Sequence, residues 1–145
     1  DGLLPDARTI YELKNLSEEK GLKIVSIGKH FDWADTCIVS PSPFRWLGYL
    51  KNADFVFTCM YHGLLFSIKF NRQFAMFLIP ERENKCLDFL KRTGLDNRVL
   101  KDSGQIHTLY NTIIDYSQVN IFIQEQKEIS ISFLNKNLGQ ISSAK

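Results

Sequence analysis

The sequence predicts an α/β fold in which short parallel strands alternate with helices. Three features support this prediction. Short apolar or β-branched runs recur between residues 22 and 79, amphipathic segments of helical length separate them, and Gly or Pro stands at several junctions. Strands and helices that alternate at these lengths favour a parallel sheet with helices on both faces, which is a Rossmann-like arrangement.

The first elements are predicted in the order helix, strand, strand, helix. Residues 8–20 carry apolar side chains at helical spacing and are followed by the stop signal Gly21. Residues 22–27 are short and β-branched, which is typical of a strand in a covered sheet. A loop with a short strand at 37–39 then leads through a Ser-Pro-Ser-Pro turn into a helix that ends near residue 52.

The next elements continue the alternation. Residues 54–59 predict a further strand, and 64–70 predict a helix that is apolar almost all round and therefore buried. Another apolar strand is predicted over 74–79, where Pro80 stops it, and a helix over 85–93 follows. These segments form the central part of the predicted sheet.

The last third of the chain is interpreted as one long helix. Residues 119–138 contain neither Gly nor Pro, and this length favours a helix over the strand that the alternation at 128–133 would otherwise indicate. Gly139 is expected to close the helix, and residues 140–145 are expected to fray. We expect 1–145 to form a single Rossmann-like lobe.

Composition indicates a soluble domain. The 145 residues are 44% hydrophobic and 23% charged, and every apolar run is far shorter than the roughly 20 residues that cross a bilayer. Cys37, Cys59 and Cys86 lack metal-type spacing, so reduced thiols in a cytoplasmic protein are expected. The chain begins at Asp1 without a methionine, and we expect it to be part of a longer protein.

Positive charge is concentrated in the middle of the chain. Residues 44–101 carry ten Lys or Arg against five acids, although the whole chain has a formal net charge of only +2. This excess is explained either by a solvated surface or by a site for a small anion. The sequence contains no dense basic cluster or recognisable nucleic-acid motif, so nucleic acid is not an expected partner.

The sequence Tyr61-His62-Gly63 lies where a predicted strand passes into a predicted helix. Ligands of open α/β sheets collect at such carboxyl ends, where the next helix offers unpaired N–H groups. Gly63 would allow close approach of a ligand, and His62 would bind an anion or act as a general acid. Capping or packing is the structural alternative for His62.

The stretch from Ser42 to Phe77 resembles the polysaccharide pyruvyl transferase family. The shared pattern runs from Ser-Pro through an aromatic-leucine helix, Ala-Asp, an apolar strand, His-Gly and Phe-Ser-Ile to Asn-basic and Phe. The matching residues are Ser42, Pro43, Leu47, Ala53, Asp54, His62, Gly63, Phe66, Ser67, Ile68, Asn71, Arg72 and Phe74. The match continues through Leu87 to Leu90 and Gly94 to Arg98.

This resemblance implies the C-terminal lobe of a two-lobed, GT-B-like bacterial enzyme of exopolysaccharide biosynthesis. Such an enzyme transfers a pyruvyl ketal from phosphoenolpyruvate to a sugar of a cell-surface polysaccharide, with no metal or organic cofactor. The saccharide acceptor would bind through an N-terminal lobe missing from this chain, so the isolated chain is expected to be inactive. His62 would be catalytic. The expected substrate-binding residues are Tyr61, Gly63, Arg72, Arg45, Arg82 and Lys85.

Two positions depart from the family pattern. Met60 and Leu64 flank the His-Gly pair where the family usually has a serine and a threonine. Loss of these hydroxyls motivates one alternative, a catalytically degenerate binding or scaffold module. A nucleotide-sugar glycosyltransferase or epimerase lobe is a second alternative.

Overall fold

The computed structural model describes residues 5–80 and 83–142, with side chains as far as residue 138, and the fold is α/β as predicted. Two short 3-10 turns, Asp96–Arg98 and Ser103–Gln105, precede the fifth helix. In chain order the helices and strands are α1 (Ala7–Lys20), β1 (Val25–Ile27), β2 (Thr36–Ile38), α2 (Pro43–Asn52), β3 (Phe55–Thr58), α3 (Tyr61–Lys69), β4 (Gln73–Met76), α4 (Glu83–Arg92), α5 (Ile106–Asn111) and α6 (Ser117–Ser142).

The strands pair in parallel, which confirms the predicted orientation. β1 pairs with β2, and β3 pairs with β4 from Phe55 opposite Gln73 to Thr58 opposite Met76. Within residues 5–80 and 83–142 these are two separate two-stranded sheets, extended by one isolated bridge between Met76 and Val99. The described strands thus form two small parallel sheets, where the alternation predicted one.

β1 is shorter than the predicted strand because neighbouring groups are used elsewhere. The Leu22 N–H donates to the Ser17 carbonyl as part of the α1 terminus, where Gly21 has a φ of 63°. The Ile24 N–H donates to the Asp35 carboxylate at 2.7 Å. These donors are therefore not available for a strand ladder.

Capping residues fix the helix boundaries. Asp6 accepts from the Thr9 N–H at 2.7 Å, and this hydrogen bond lowers the pKa of the Asp6 carboxyl. Ser42 accepts from the Arg45 N–H at 3.3 Å, one residue before α2 begins. The predicted starts of α1 and α2 are therefore confirmed to within about one residue.

The chain divides into two compact units, Asp1–Ile113 and Ile114–Lys145. The second unit consists mainly of α6, whose single long helix was predicted, although the helix continues past Gly139. Several large apolar side chains of α6 are exposed, namely Ile121, Ile129, Ile131, Phe133, Leu134 and Leu138. In the part of the chain that the structure describes, no helix has the combination of length and apolar character needed to span a membrane.

The core of the first unit is centred on β4. Phe74 and Ala75 are fully buried and Met76 is almost so. Successive side chains of a strand point to opposite faces, so both faces of β4 are covered. α3 and α5 both pack against this strand. A second cluster, formed by Leu13, Leu16 and Ile106, joins α1 to α5.

A buried guanidinium connects β4 to α5. Arg98 is 1% exposed, and its Nε donates to the Phe74 carbonyl at 2.8 Å. Its Nη1 and Nη2 donate to the carbonyls of Thr112 (3.0 Å) and Leu109 (2.6 Å). One side chain thereby supplies donors to three backbone carbonyls from two parts of the chain, which supports β4 from its N-terminal end.

Replacing this guanidinium should destabilise the fold severely. We expect Arg98→Met to lower the free energy of unfolding by roughly 3 kcal/mol or more, because buried carbonyls lose their donors. Denaturation with urea measures the loss. Arg8→Met, at an exposed arginine of α1, is the matched control and should change stability by no more than about 0.5 kcal/mol. Equal effects of the two substitutions would contradict the structural role of Arg98.

Candidate functional site

The candidate site is formed where β3 ends and α3 begins. Met60 is the N-cap residue, and the first hydrogen bond of α3 runs from the Leu64 N–H to the Met60 carbonyl at 3.0 Å. The N–H groups of residues 61–63 precede this bond, so they have no acceptor within the helix. They point outward at the positive end of the helix dipole, which favours an anion.

His62 occupies the second position of α3, and its side chain is exposed. The ring is therefore not enclosed by the hydrocarbon core. Its centroid lies 6.3 Å from that of Tyr61, with the two planes at 68°. His62 is thus accessible to a ligand at the N-terminus of α3.

Gly63 allows α3 to approach the end of β3 closely. A Cβ atom at this position would overlap the hydroxyl oxygen of Thr58 and would lie 2.9 Å from the Thr58 Cβ. The Thr58 hydroxyl also accepts from the Met60 N–H at 3.1 Å. The close approach that glycine permits here is to Thr58, and it sets the position of the first turn of α3.

Lys85 of α4 reaches the same place. Its ammonium lies 4.0 Å from the centroid of the Tyr61 ring, which is cation–π geometry. Phe89, one helical turn further along α4, packs edge-on against the same ring at 6.2 Å. β3 and β4 are paired neighbours, so the segments that follow their carboxyl ends meet.

Arg72 lies at the other end of α3 from His62. α3 is nine residues long and therefore spans about 13 Å. Asn71 ends it in a left-handed conformation (φ 52°), and the Arg72 side chain donates to the carbonyls of Phe70 (3.0 Å) and Ala53 (3.5 Å). The family's Asn-basic pair thus acts here as a helix stop, and the structure does not bring Arg72 together with His62.

The other two predicted arginines do not add to the described cluster. Arg45 is exposed on the first turn of α2, where it donates to the Tyr49 hydroxyl at 3.4 Å and lies over the Tyr49 ring. Arg82 lies outside the described residues. The described site therefore consists of the N-terminal turn of α3 with His62, Tyr61 and Lys85.

The two departures from the family pattern have different structural consequences. Leu64 is fully buried, so its side chain belongs to the core and does not face a ligand. Met60 is 44% exposed at the N-cap, where a thioether replaces the oxygen that usually accepts a first-turn N–H. Only the change at Met60 affects groups that a ligand would contact.

Cys86 lies beside Lys85 but is buried, and burial raises the pKa of its thiol. Cys37, Cys59 and Cys86 form no disulfide with one another. Across residues 5–80 and 83–142 we find no cluster of three or more His, Cys, Asp or Glu side chains that would hold a metal ion.

Sequence reasoning missed two residues of this site, Thr58 and Phe89. Thr58 carries a hydroxyl at the last position of its strand, which is a weak signal for contact with the next helix. Phe89 is four residues after Lys85, so both side chains lie on one face of α4. That spacing would have indicated a shared neighbour but not that the neighbour is Tyr61.

Comparison with known proteins adds a family assignment to this geometry. A family model described as polysaccharide pyruvyl transferase matches residues 3–79, which include the whole β3–α3–β4 segment. A search of curated proteins and a search of solved structures gave no match.

The close approach at Gly63 predicts that even one added methyl group is harmful. We expect Gly63→Ala to lower the free energy of unfolding by roughly 1–3 kcal/mol, the usual cost of overpacking. Gly48→Ala, in α2, is the matched control because a Cβ there meets no atom within 4 Å. It should be neutral or stabilising by up to about 1 kcal/mol. Stabilisation by both alanines, measured by urea denaturation, would disprove the tight contact with Thr58.

The missing cap oxygen at position 60 is also testable. Met60→Ser should give a protein about 1 kcal/mol more stable than Met60→Ala, because the serine oxygen accepts from the His62 or Gly63 N–H. Both variants remove the same partly buried thioether, so their difference isolates the cap. Thermal unfolding of the pair provides the measurement, and equal stabilities would argue against an uncapped first turn.

Proposed function

Because the chain belongs to the polysaccharide pyruvyl transferase family, we propose that it is the donor-binding lobe of an enzyme that forms a pyruvyl ketal on a polysaccharide. The donor is phosphoenolpyruvate, and the acceptor is a sugar of a cell-surface polysaccharide. The enzyme is GT-B-like, bacterial and cytoplasmic, and its other lobe holds the acceptor. The isolated chain is therefore expected to bind the donor without turning it over.

One observation carries the donor assignment, namely the contact of Lys85 with Tyr61 at the start of α3. The ammonium lies over the ring of the first residue of α3, and the exposed His62 is the second residue of that helix. A donor that carries both a phosphate and a carboxylate requires several positive or N–H groups that converge on it. The basic excess of the middle of the chain is consistent with such a ligand.

The chemistry of ketal formation fits a histidine at this place. One sugar hydroxyl adds to C2 of phosphoenolpyruvate and loses its proton to a base, while C3 gains a proton from an acid. A second hydroxyl then displaces the phosphate from C2, and its proton leaves with the phosphate or with a base. His62 either donates the proton to C3 or binds an anionic oxygen of the donor.

The remaining predicted residues have different parts in this proposal. Gly63 contributes its backbone N–H to the donor. Arg82, in the segment that follows β4, is proposed as a further cation for the phosphate or carboxylate. Arg45 and Arg72 were expected to bind substrate as well, but their described contacts are with other protein groups.

A catalytically degenerate binding module is the second candidate. The observation that favours it is Met60, because the thioether occupies the cap position where an oxygen would help to organise the anion-binding turn. A nucleotide-sugar lobe is the remaining alternative from the sequence. The three possibilities predict different results in titrations with phosphoenolpyruvate and with a uridine nucleotide.

Titration calorimetry of the folded chain with phosphoenolpyruvate tests the proposal. We expect saturable binding in the millimolar range or tighter, weakened several-fold by His62→Gln and by Lys85→Met, because each removes a donor to the anion. Lys69→Met is the matched control, since Lys69 is an exposed lysine at the opposite end of α3. The Lys69→Met variant should bind phosphoenolpyruvate with the same affinity as the unmodified chain.

Each alternative predicts a different titration. Binding of uridine diphosphate without binding of phosphoenolpyruvate would select the nucleotide-sugar lobe. Absence of binding by either ligand in a folded sample would select the degenerate module. Equal weakening by Lys69→Met and Lys85→Met would mean that the anion is attracted by overall charge and not by this site.

A further inference from the structure

The Tyr61 ring contacts two side chains of α4. The Lys85 ammonium lies 4.0 Å from the Tyr61 ring centroid, and the Phe89 ring meets the same ring at 6.2 Å with the planes at 74°. Lys85 and Phe89 are four residues apart and therefore share one face of α4. α4 thus contacts the first residue of α3 through both a cation and an aromatic ring.

This arrangement limits where the lysine can reach. A lysine side chain has four rotatable carbons and many conformations, and Lys85 is exposed, so the ammonium would otherwise be spread over a wide volume. An aromatic face attracts the ammonium electrostatically without neutralising its charge. A carboxylate partner would also localise the ammonium, but it would compete with an incoming anion. Tyr61 therefore localises the lysine and leaves it positively charged for a ligand.

From this geometry we infer that Tyr61 is a positioning residue, which acts through Lys85 and does not itself bind the donor with its hydroxyl. Phe89 keeps the ring in the orientation that presents its face to the ammonium. The inference rests on the proposed function, and it assigns Tyr61 a role different from the direct contact that the sequence suggested. It also brings Phe89 into the site as a support for the ring.

The position of the ammonium can be measured without any ligand. Reductive methylation with ¹³C-formaldehyde labels each lysine as a dimethylamine that keeps its charge, and the Lys85 resonance is assigned by its loss in Lys85→Met. A methyl group over a ring face resonates upfield of those on exposed lysines. We expect this upfield shift in the unmodified sequence and in Tyr61→Phe, and its loss in Tyr61→Leu. Tyr11→Leu, at an exposed tyrosine of α1, should leave the resonance in place.

The consequence for binding is measured with phosphoenolpyruvate and unmethylated protein. Tyr61→Leu should weaken binding by roughly two- to fivefold, as expected for an exposed cation–π contact. The conservative Tyr61→Phe should rescue this loss. The double variant Tyr61→Leu/Lys85→Met should bind no more weakly than Lys85→Met alone, since Tyr61 acts only through the lysine. Thermal unfolding confirms that each variant is folded.

The outcomes separate this inference from the proposed function. If the chain binds phosphoenolpyruvate but Lys85 shows no upfield shift, the positioning role is wrong and the donor assignment stands. Additive losses of affinity in the double variant would overturn the positioning role and leave the donor assignment in place. The same conclusion follows if Tyr61→Phe binds phosphoenolpyruvate as weakly as Tyr61→Leu. Either result means that Tyr61 contacts the donor directly. If the unmodified chain does not bind phosphoenolpyruvate, the proposed function fails and the inference fails with it.

Discussion

The close packing of Gly63 against Thr58 is the constraint on which the geometry of the site depends. A Cβ on Gly63 would overlap the Thr58 hydroxyl, so any larger residue would force α3 or the Thr58 side chain to shift. Without that atom, α3 begins directly at the carboxyl edge of β3, and the Thr58 hydroxyl binds the Met60 N–H. The N–H groups of residues 61–63 and the imidazole of His62 are thereby placed at one edge of the β3–β4 pair.

That edge is maintained by packing elsewhere in the first unit. β4 is buried on both faces, so its register with β3 is fixed by hydrophobic contacts that a one-residue slip would break. Arg98 reinforces the arrangement from the other end of the strand by donating to the Phe74, Leu109 and Thr112 carbonyls. A fixed register also fixes α4, which follows β4, and hence the contact of Lys85 with Tyr61. The buried packing of β4 therefore determines, through β3 and β4, where the Lys85 ammonium meets Tyr61.

The site combines strong local preorganisation with exposure to water. His62 and Lys85 are both exposed, so their individual attraction for an anion is screened and modest. Affinity in such a site comes from several weak donors that are held in place before the ligand arrives. Gly63 orders the N–H groups, and Tyr61 orders the ammonium. Met60 works against this order, because it lacks the oxygen that caps most helices at this position.

The sequence by itself determined the α/β class, the starts of α1 and α2, the long α6 and the place of His62 at the start of α3. These features depend on local signals, namely periodicity, capping residues and turn residues, whose partners lie within a few positions of the chain. Only the tertiary structure decided which charged residues converge. Lys85 meets Tyr61, whereas Arg72 turns to the Phe70 and Ala53 carbonyls. The Lys85–Tyr61 and Arg72–Ala53 contacts join residues that are distant in sequence. Other residues of equal charge could make each contact, so spacing along the chain does not select among them.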